Sequence, residues 1–308
     1  MTDRFINLFT DYGFKKIFGE EPNKDLLIDF LNELLEGAEK INDLTYLKNE
    51  RLGKNEGERR AVYDLYCSND RGEKFIVEVQ RVKQQFFKDR SLYYATFAIQ
   101  EQAAKGKDWK YELKGVYTIG ILDFVFDDTD PNKVEHRVQL MDVETHQVFY
   151  QKLTFIFLEI PKFSKALQEL EDDYDRWLFA FKNLHKLSDR PPELEEGIFK
   201  RLLEVAEISK MDSKEQAVYQ ESLKEYWDLK SSMDTYFEEG REEGREEGRK
   251  EGREEGRKEG REEGREEGRK DEKLETAKNA LQAGLEISLI AQLTGLSEQE
   301  VISLKASL

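Results

Sequence analysis

Three polar side chains interrupt a segment that otherwise has the composition of two β-strands. The segment reads YDLYCSNDRGEKFIVEVQ over residues 63–80. Asp64 lies in its first strand-like run, and Glu78 and Gln80 lie in the second. The polar stretch SNDRG between the runs predicts a tight turn and therefore a hairpin. Strand interiors seldom hold carboxylates, because burying an unpaired charge is costly, so these three residues are the candidates for chemistry.

Strand alternation predicts that the three polar groups share one face. Glu78 and Gln80 are two residues apart, and Asp64 lies near Glu78 across an ordinary hairpin. Two carboxylates so placed repel each other unless a cation lies between them. Mg²⁺ prefers oxygen ligands and retains water that can attack a phosphate, and Gln80 could orient that water. The alternative is an edge hairpin with a polar solvent face, on which the three residues have no chemical role.

The flanking sequence predicts a mixed α/β sheet that positions this hairpin. Residues 1–37 have a helical pattern with a stop at Gly37, and residues 84–106 suit a helix that ends at Gly106. Further strand-like runs cover residues 44–53, 113–125, 135–142 and 153–160. Alternation of strands with a helix favours a sheet flanked by helices. From residue 163 to 237 the pattern is helical again, with a break at Pro191 and Pro192.

The bulk composition excludes several classes of protein. The chain has 308 residues and a formal net charge of −17, which argues against a nonspecific nucleic-acid coat protein. Cys67 is the single cysteine, so no intramolecular disulfide forms, and we expect a reducing, cytoplasmic setting. The N-terminus lacks a signal-peptide pattern, and no apolar run approaches about 18 residues, so no membrane span is expected. The three histidines show no metal-ligand spacing and are expected to be structural or exposed.

The C-terminal quarter of the chain changes character. Residues 240–270 form a four-residue repeat of glycine, arginine and charged residues, in which each glycine costs a helix about 1 kcal/mol. Either a long exposed helix that self-associates or a flexible spacer fits this repeat. Residues 271–308 include IAQLTGLSEQEVISL, which resembles a helix-turn-helix. Glu298 and Glu300 in its second helix suit DNA poorly, so a helical association module is favoured, with self-association through residues 240–308.

The order of Asp64, Glu78 and Gln80 resembles the metal site of the PD-(D/E)XK nuclease superfamily. It is most similar to the branch whose last motif residue is glutamine, the Rpn family of recombination-promoting nucleases and transposases. Other stretches match that family in order, including TDYGFKKIFG, RSLYYA, GVYTIGILDF, LTFIFLEIPKF and DRWLFAFKNL. The resemblance covers nearly the whole chain. It implies a restriction-endonuclease-like α/β fold, with a mixed sheet flanked by helices and a helical C-terminal extension.

The resemblance also implies a metal-dependent DNA endonuclease of the transposase type, which hydrolyses phosphodiester bonds with Mg²⁺ or Mn²⁺. Asp64, Glu78 and Gln80 would be the catalytic residues. Asp64 and Glu78 would bind the metal, and Asp11 is either a third ligand or a helix N-cap. Because Gln80 replaces the lysine of the superfamily, either the chemistry depends more on the metal, or a nearby base such as Arg81 or Lys83 supplies the missing charge. The alternative is a non-catalytic DNA-binding or self-associating assembly protein that retains the fold.

An acidic nuclease needs a local basic surface to hold DNA. Residues 81–114 contain eight bases and four acids, immediately after the hairpin. The residues predicted to contact DNA are Lys15, Lys16, Arg81, Lys83, Lys88 and Arg90. The alternative is an ordinary solvated helix face. The predicted organisation is a nuclease-like core (1–165), a helical subdomain (166–239), the repeat (240–270) and a small helical tail (271–308).

Overall fold

The computed structural model describes residues 3–35, 40–51, 61–103, 110–127 and 129–307. The chain divides into two compact units, Met1–Met233 and Asp234–Leu308. The helices are α1 (Asp11–Phe18), α2 (Lys24–Leu34), α3 (Phe87–Gln100), α4 (Asp173–Asn183), α5 (Gly197–Ala206), α6 (Ser213–Gln282), α7 (Ile287–Thr294) and α8 (Glu298–Ala306). The strands are β1 (Leu44–Tyr46), β2 (Glu50–Arg51), β3 (Ala61–Val62), β4 (Leu65–Asn69), β5 (Lys74–Gln80), β6 (Val116–Leu122), β7 (Glu135–Met141) and β8 (Val148–Glu159).

A six-stranded sheet in the order β1-β4-β5-β6-β8-β7 organises the first unit. The central strands β5, β6 and β8 are parallel, whereas β1, β4 and β7 pair antiparallel with their neighbours. Helix α3 connects the parallel strands β5 and β6, as a parallel pair requires a crossover. Strands β2 and β3 form a separate two-stranded sheet. The predicted mixed sheet flanked by helices is therefore confirmed.

The two faces of the sheet pack against different helices. Apolar side chains of α1, α2, α4 and α5 form the larger core, in which Phe18, Phe30 and Trp177 make aromatic contacts. Tyr66 and Ile76 belong to a second cluster on the other face, with small residues of α3. Phe75 and Val77 of β5 lie in the larger core, on the face opposite Ile76, so side chains alternate along β5 as predicted.

The predicted helical pattern at the N-terminus is wrong for residues 3–10. Phe5 forms an isolated bridge with Glu207, and the Ile6 N–H donates to the Ala206 carbonyl at 3.0 Å. Apolar residues in this segment are buried, and its extended first part ends in a turn at residues 8–10. Helix α1 is capped by Thr10, which accepts from the Gly13 N–H, so the N-cap reading of Asp11 is also wrong. The expected helix ends at Gly37 and Gly106 lie outside the described residues.

The second unit contains most of α6 and the two short helices that follow. The glycine-charge repeat lies within α6, and each repeat glycine from Gly240 to Gly268 has open space where a Cβ would stand. Ala277, Ile290 and Val301 form a small core. Gly295 ends α7 with φ of 68°, a left-handed conformation that favours glycine. The described helices include none with the length and apolar character needed to cross a membrane.

Candidate active site

The first strand of the predicted hairpin is interrupted at Asp64. Strand β3 ends at Val62 and β4 begins at Leu65, which pairs with Val77 of β5. Beyond Leu65, hydrogen bonds of the Asp64 and Glu78 side chains take the place of backbone pairing with β5. Asp64 Oδ2 accepts the Val79 N–H at 2.7 Å, and the Asp64 N–H donates to Glu78 Oε1 at 3.3 Å. These reciprocal hydrogen bonds hold the two carboxylates together at the end of β5.

A second contact fixes the bend itself. Asn49 Nδ2 donates to the Asp64 carbonyl at 2.8 Å. Because the carbonyl and the N–H of Asp64 both bind side chains, the bend satisfies its backbone without a strand partner. Asn49 was not among the predicted site residues, since it lies 15 positions before Asp64 and carries no motif of its own.

Glu78 is buried, Asp64 is half-buried, and the two carboxylates are electrostatically strained. Glu78 is 8% exposed, and burial, reinforced by the charge of Asp64, raises the pKa of Glu78 to about 8. Burial also raises the pKa of Asp64, and the charge of Asp11 adds to this rise. The Val79 N–H and the charges of Lys15 and Arg81 oppose it. The site is therefore short of positive charge, which is the condition that a divalent cation relieves.

The ligand set fits Mg²⁺ with few protein ligands. Among the residues that the structure describes, no three His, Cys, Asp or Glu side chains lie close enough to hold an ion by themselves. Asp64 and Glu78 could hold a cation that completes its shell with water, as Mg²⁺ commonly does. Asp11 lines the same cleft as Asp64, and its carboxylate is paired with Lys15 at 2.8 Å. Its role as a third ligand stays a prediction.

Gln80 lies on the same face as Glu78 and is equally buried, at 8% exposure. Its Oε1 accepts from Arg90 Nη2 at 2.5 Å, and its Nε2 donates to the Val82 carbonyl at 3.1 Å. Arg90 Nη2 also lies 3.9 Å from Glu78 Oε2. The structure therefore brings Arg90, a residue predicted to contact DNA, directly to the motif.

A cleft of about 500 Å³ opens beside Asp64. Its walls include Asp11, Lys15 and Lys16 from α1, together with side chains from the first turns of α6: Val218, Glu221, Ser222 and Glu225. Ser222 Oγ accepts the Tyr12 N–H at 3.1 Å, which ties α6 to α1. The contribution of α6 was missed, because these residues stand more than 150 positions after Asp64 and their sequence resembles an ordinary helix.

The predicted DNA-binding bases divide between two places. Lys15 and Lys16 line the cleft, and Arg81 acts electrostatically on Asp64. Lys16 is bound to Glu215 at 2.5 Å, whereas Lys15 is half-exposed beside Asp11. This group surrounds the candidate metal ligand Asp64.

The remaining bases lie along the chain that follows β5. Lys83 is paired with Asp127, and Lys88 Nζ stands 4.8 Å from the centre of the Phe126 ring. Lys105 and Lys107, counted in the basic stretch, lie outside the described residues. Contact of any of these bases with DNA stays a prediction.

The histidines and the cysteine take no part in this site. His136 Nε2 lies 2.8 Å from Oε1 of the buried Glu159 carboxylate, which also pairs with Lys162. Burial lowers the pKa of His185. Cys67 is buried within the larger core, as expected of a small strand hydrophobe.

Comparison with known proteins adds two findings. A family model described as PD-(D/E)XK nuclease family transposase matches residues 8–236, a range that includes Asp64, Glu78 and Gln80. A second, described as the C-terminal HTH domain of the Rpn/YhgA-like nuclease family, matches residues 270–306. The comparisons with curated proteins and with solved structures found no significant match.

Proposed function

The chain belongs to the PD-(D/E)XK nuclease family transposases, which confirms the resemblance seen in its sequence, and we propose that it is a metal-dependent DNA endonuclease. Its reaction would be hydrolysis of phosphodiester bonds, with Mg²⁺ as the cofactor and Mn²⁺ as a substitute. The observation that carries this proposal is the pair of half-buried Asp64 and buried Glu78, which hydrogen bonds hold together at the end of β5, beside the cleft that Asp64 lines.

Each carboxylate has one oxygen fixed by the backbone. Oδ2 of Asp64 accepts the Val79 N–H, and Oε1 of Glu78 accepts the Asp64 N–H. This fixes the direction of both groups before any cation arrives, which lowers the cost of binding. A bound Mg²⁺ would supply an activated water and stabilise negative charge on the phosphate.

DNA binding would rest on local charge rather than on the net charge of the chain. Lys15 and Lys16 line the cleft, and Arg81 is close enough to Asp64 to affect its pKa. We propose that these bases, with Lys83 and Lys88 on the following segment, hold the phosphate backbone. Contacts of this kind are sensitive to salt and carry little sequence information.

A non-catalytic DNA-binding role is the second candidate, and the C-terminal HTH match favours it. The tail could direct the protein to DNA whether or not the first unit cuts. Helix α8 begins with Glu298 and Glu300 and has only Lys305 in its last turn, which disfavours close contact with phosphates. Self-association through residues 240–308 therefore stays a proposal for the tail.

Cleavage of a supercoiled plasmid tests the first candidate. The wild-type protein and Asp64→Asn would be compared in Mg²⁺, in Mn²⁺ and in EDTA. Asp70→Asn is a matched control, because Asp70 stands in the exposed turn of the same hairpin. We expect the wild type and the control to nick or linearise DNA only with metal, and Asp64→Asn to be inactive. Equal activity of the two variants, or cleavage in EDTA, would overturn the proposal. Binding without cleavage would favour the second candidate.

A further inference from the structure

The Glu78–Val79–Gln80 motif has no positive charge of its own, although the proposed reaction adds negative charge to a phosphate. Four bases are near enough in sequence to compensate: Arg81, Lys83, Lys88 and Arg90. Of these four, Lys83 is paired with Asp127, Lys88 lies against the Phe126 ring, and Arg81 acts on Asp64. Arg90 contacts the motif itself, at 2.5 Å from Gln80 Oε1 and 3.9 Å from Glu78 Oε2.

Helix α3 holds the guanidinium of Arg90 from several sides. The group lies 5.3 Å from the ring centre of Phe87 and 5.7 Å from that of Tyr94, one turn away in either direction. Arg90 Nη1 donates to Gln84 Oε1 at 2.6 Å. Aromatic faces attract a guanidinium and limit its rotamers. Arg90 is therefore ordered at the motif by contacts with its own helix and with Gln84, which precedes that helix.

A glycine opposite Glu78 permits this arrangement. Gly120 of β6 pairs with Glu78 in the sheet. A Cβ at Gly120 would stand 2.9 Å from Phe157 and 3.2 Å from Phe87. Since Phe87 is the first residue of α3 and is 3% exposed, the absence of a side chain at Gly120 allows the start of α3 to approach the sheet.

The contacts of Gln80 indicate that it serves Arg90 rather than a water molecule. Its amide oxygen accepts from Arg90, and its amide nitrogen donates to the Val82 carbonyl. A neutral acceptor can hold a guanidinium in this way, whereas a cationic side chain would repel it. A guanidinium has five N–H groups, so donors remain for a phosphate oxygen after the bonds to Gln80 and Gln84.

We propose that Arg90 is the catalytic cation of this site and that Gln80 is the positioning residue that holds it beside Glu78. This rests on the proposed nuclease function. The guanidinium binds an oxygen of the phosphate under attack and stabilises its developing negative charge. The motif thus provides a carboxylate for the metal, and α3, a separate element, provides a guanidinium for the phosphate.

Single-turnover cleavage tests the role, with Arg90→Gln, the double variant Arg90→Gln/Gln80→Lys, and Arg201→Gln as a matched control. Arg201 pairs with Asp25 and is partly exposed. Loss of a preorganised charge-stabilising donor lowers the rate by about 10²-fold to 10³-fold, so we expect Arg90→Gln to lose at least roughly 10²-fold. DNA affinity in EDTA should change less than about threefold, because one phosphate contact among several is a small part of binding.

The double variant restores a positive charge on the same face of β5. We expect it to recover most of the rate lost in Arg90→Gln, which a purely structural role of Arg90 would not allow. A wild-type rate in Arg90→Gln, or a loss of rate that Gln80→Lys does not reverse, overturns the proposal. Cleavage by the wild type and the control supports the nuclease function whichever way the two Arg90 variants behave.

Binding of Mn²⁺ to the full-length proteins, followed by the electron paramagnetic resonance of the free ion, gives a readout that needs no cleavage. A guanidinium 3.9 Å from Glu78 repels a divalent cation. We therefore expect Arg90→Gln to bind Mn²⁺ several-fold more tightly than the wild type. Protons compete with Mn²⁺ for the carboxylate, and removing Arg90 favours both. Because Mn²⁺ carries twice the charge of a proton, Arg90 repels it twice as strongly, so the gain in Mn²⁺ affinity remains despite this competition. Unchanged or weaker Mn²⁺ binding contradicts the proposal, even if the wild-type protein does not cut DNA.

Discussion

Replacing Glu78 with Gln is expected to stabilise the metal-free protein at alkaline pH, although the change removes a proposed metal ligand. Burial, together with the charge of Asp64, raises the pKa of Glu78 from 4.5 to about 8. Between these two values the folded state holds a proton that the unfolded state has released. The free energy of unfolding is therefore highest below the unfolded pKa and falls as the pH rises through the folded pKa.

The size of the fall follows from the proton count. One retained proton changes the free energy of unfolding by at most about 1.4 kcal/mol per pH unit. Because Glu78 shares its site with Asp64, we expect roughly 1 kcal/mol per unit, or about 3 kcal/mol between about pH 5 and about pH 8. For a unit of this size, that corresponds to roughly 6–12 °C in Tm. Gln keeps the shape and stays neutral, so its curve should lack this fall.

Thermal unfolding followed by circular dichroism in EDTA, from acid to alkaline pH, measures the difference. The wild type and Glu78→Gln should agree at acid pH, and the variant should be more stable at alkaline pH. Subtraction of the two curves removes the contributions of other titrating groups, such as Asp29, whose pKa is raised by burial. Mg²⁺ should then stabilise the wild type and not the variant.

Glu159→Gln is the matched control. Glu159 is fully buried, and its oxygens lie 2.8 Å from Lys162 Nζ and from His136 Nε2. Removing this anion leaves a buried cation without its partner, so the variant should lose about 3 kcal/mol of stability. The same substitution thus has opposite effects at the two sites. A Glu78→Gln variant less stable than the wild type at alkaline pH would refute the view that the charge of Glu78 is disfavoured by burial and by Asp64.

Three further changes test other parts of the molecule. Lys15→Gln should weaken DNA binding, as measured by fluorescence-anisotropy titrations at several salt concentrations. The slope of log affinity against log salt should become smaller by about 0.9, which is the contribution of one phosphate contact. An unchanged slope would exclude Lys15 from the interface. Gly120→Ala should lower the free energy of unfolding in denaturant by about 1–3 kcal/mol, because the added Cβ would stand 2.9 Å from Phe157. Gly240 has open space around it, so Gly240→Ala should instead stabilise its helix by up to about 1 kcal/mol. Removing residues 240–308 should preserve plasmid cleavage, since the candidate site lies within the first unit; complete loss of activity would instead favour an assembly role for the repeat and tail.

The sequence by itself determined the features of this protein that depend on neighbouring residues. Alternation in FIVEVQ assigned Glu78 and Gln80 to one face of a strand and Val77 to the other, and the described core agrees. Side-chain alternation is a property of any extended backbone, so it can be read without knowing the fold. The family was also identifiable from the sequence, because several short stretches occur in the same order as in that family.

Only the tertiary structure decided which residues complete the site. Asp64 was predicted as a paired strand residue, yet it stands at a bend where side-chain hydrogen bonds replace the ladder. Asn49 and the first turns of α6 reach the site from distant positions, and no local pattern marks them. Arg90 was read as a DNA contact, and its place beside Gln80 depends on how α3 packs against Gly120. Local periodicity fixes the direction of a side chain relative to its own element, whereas contacts between elements depend on packing over the whole core.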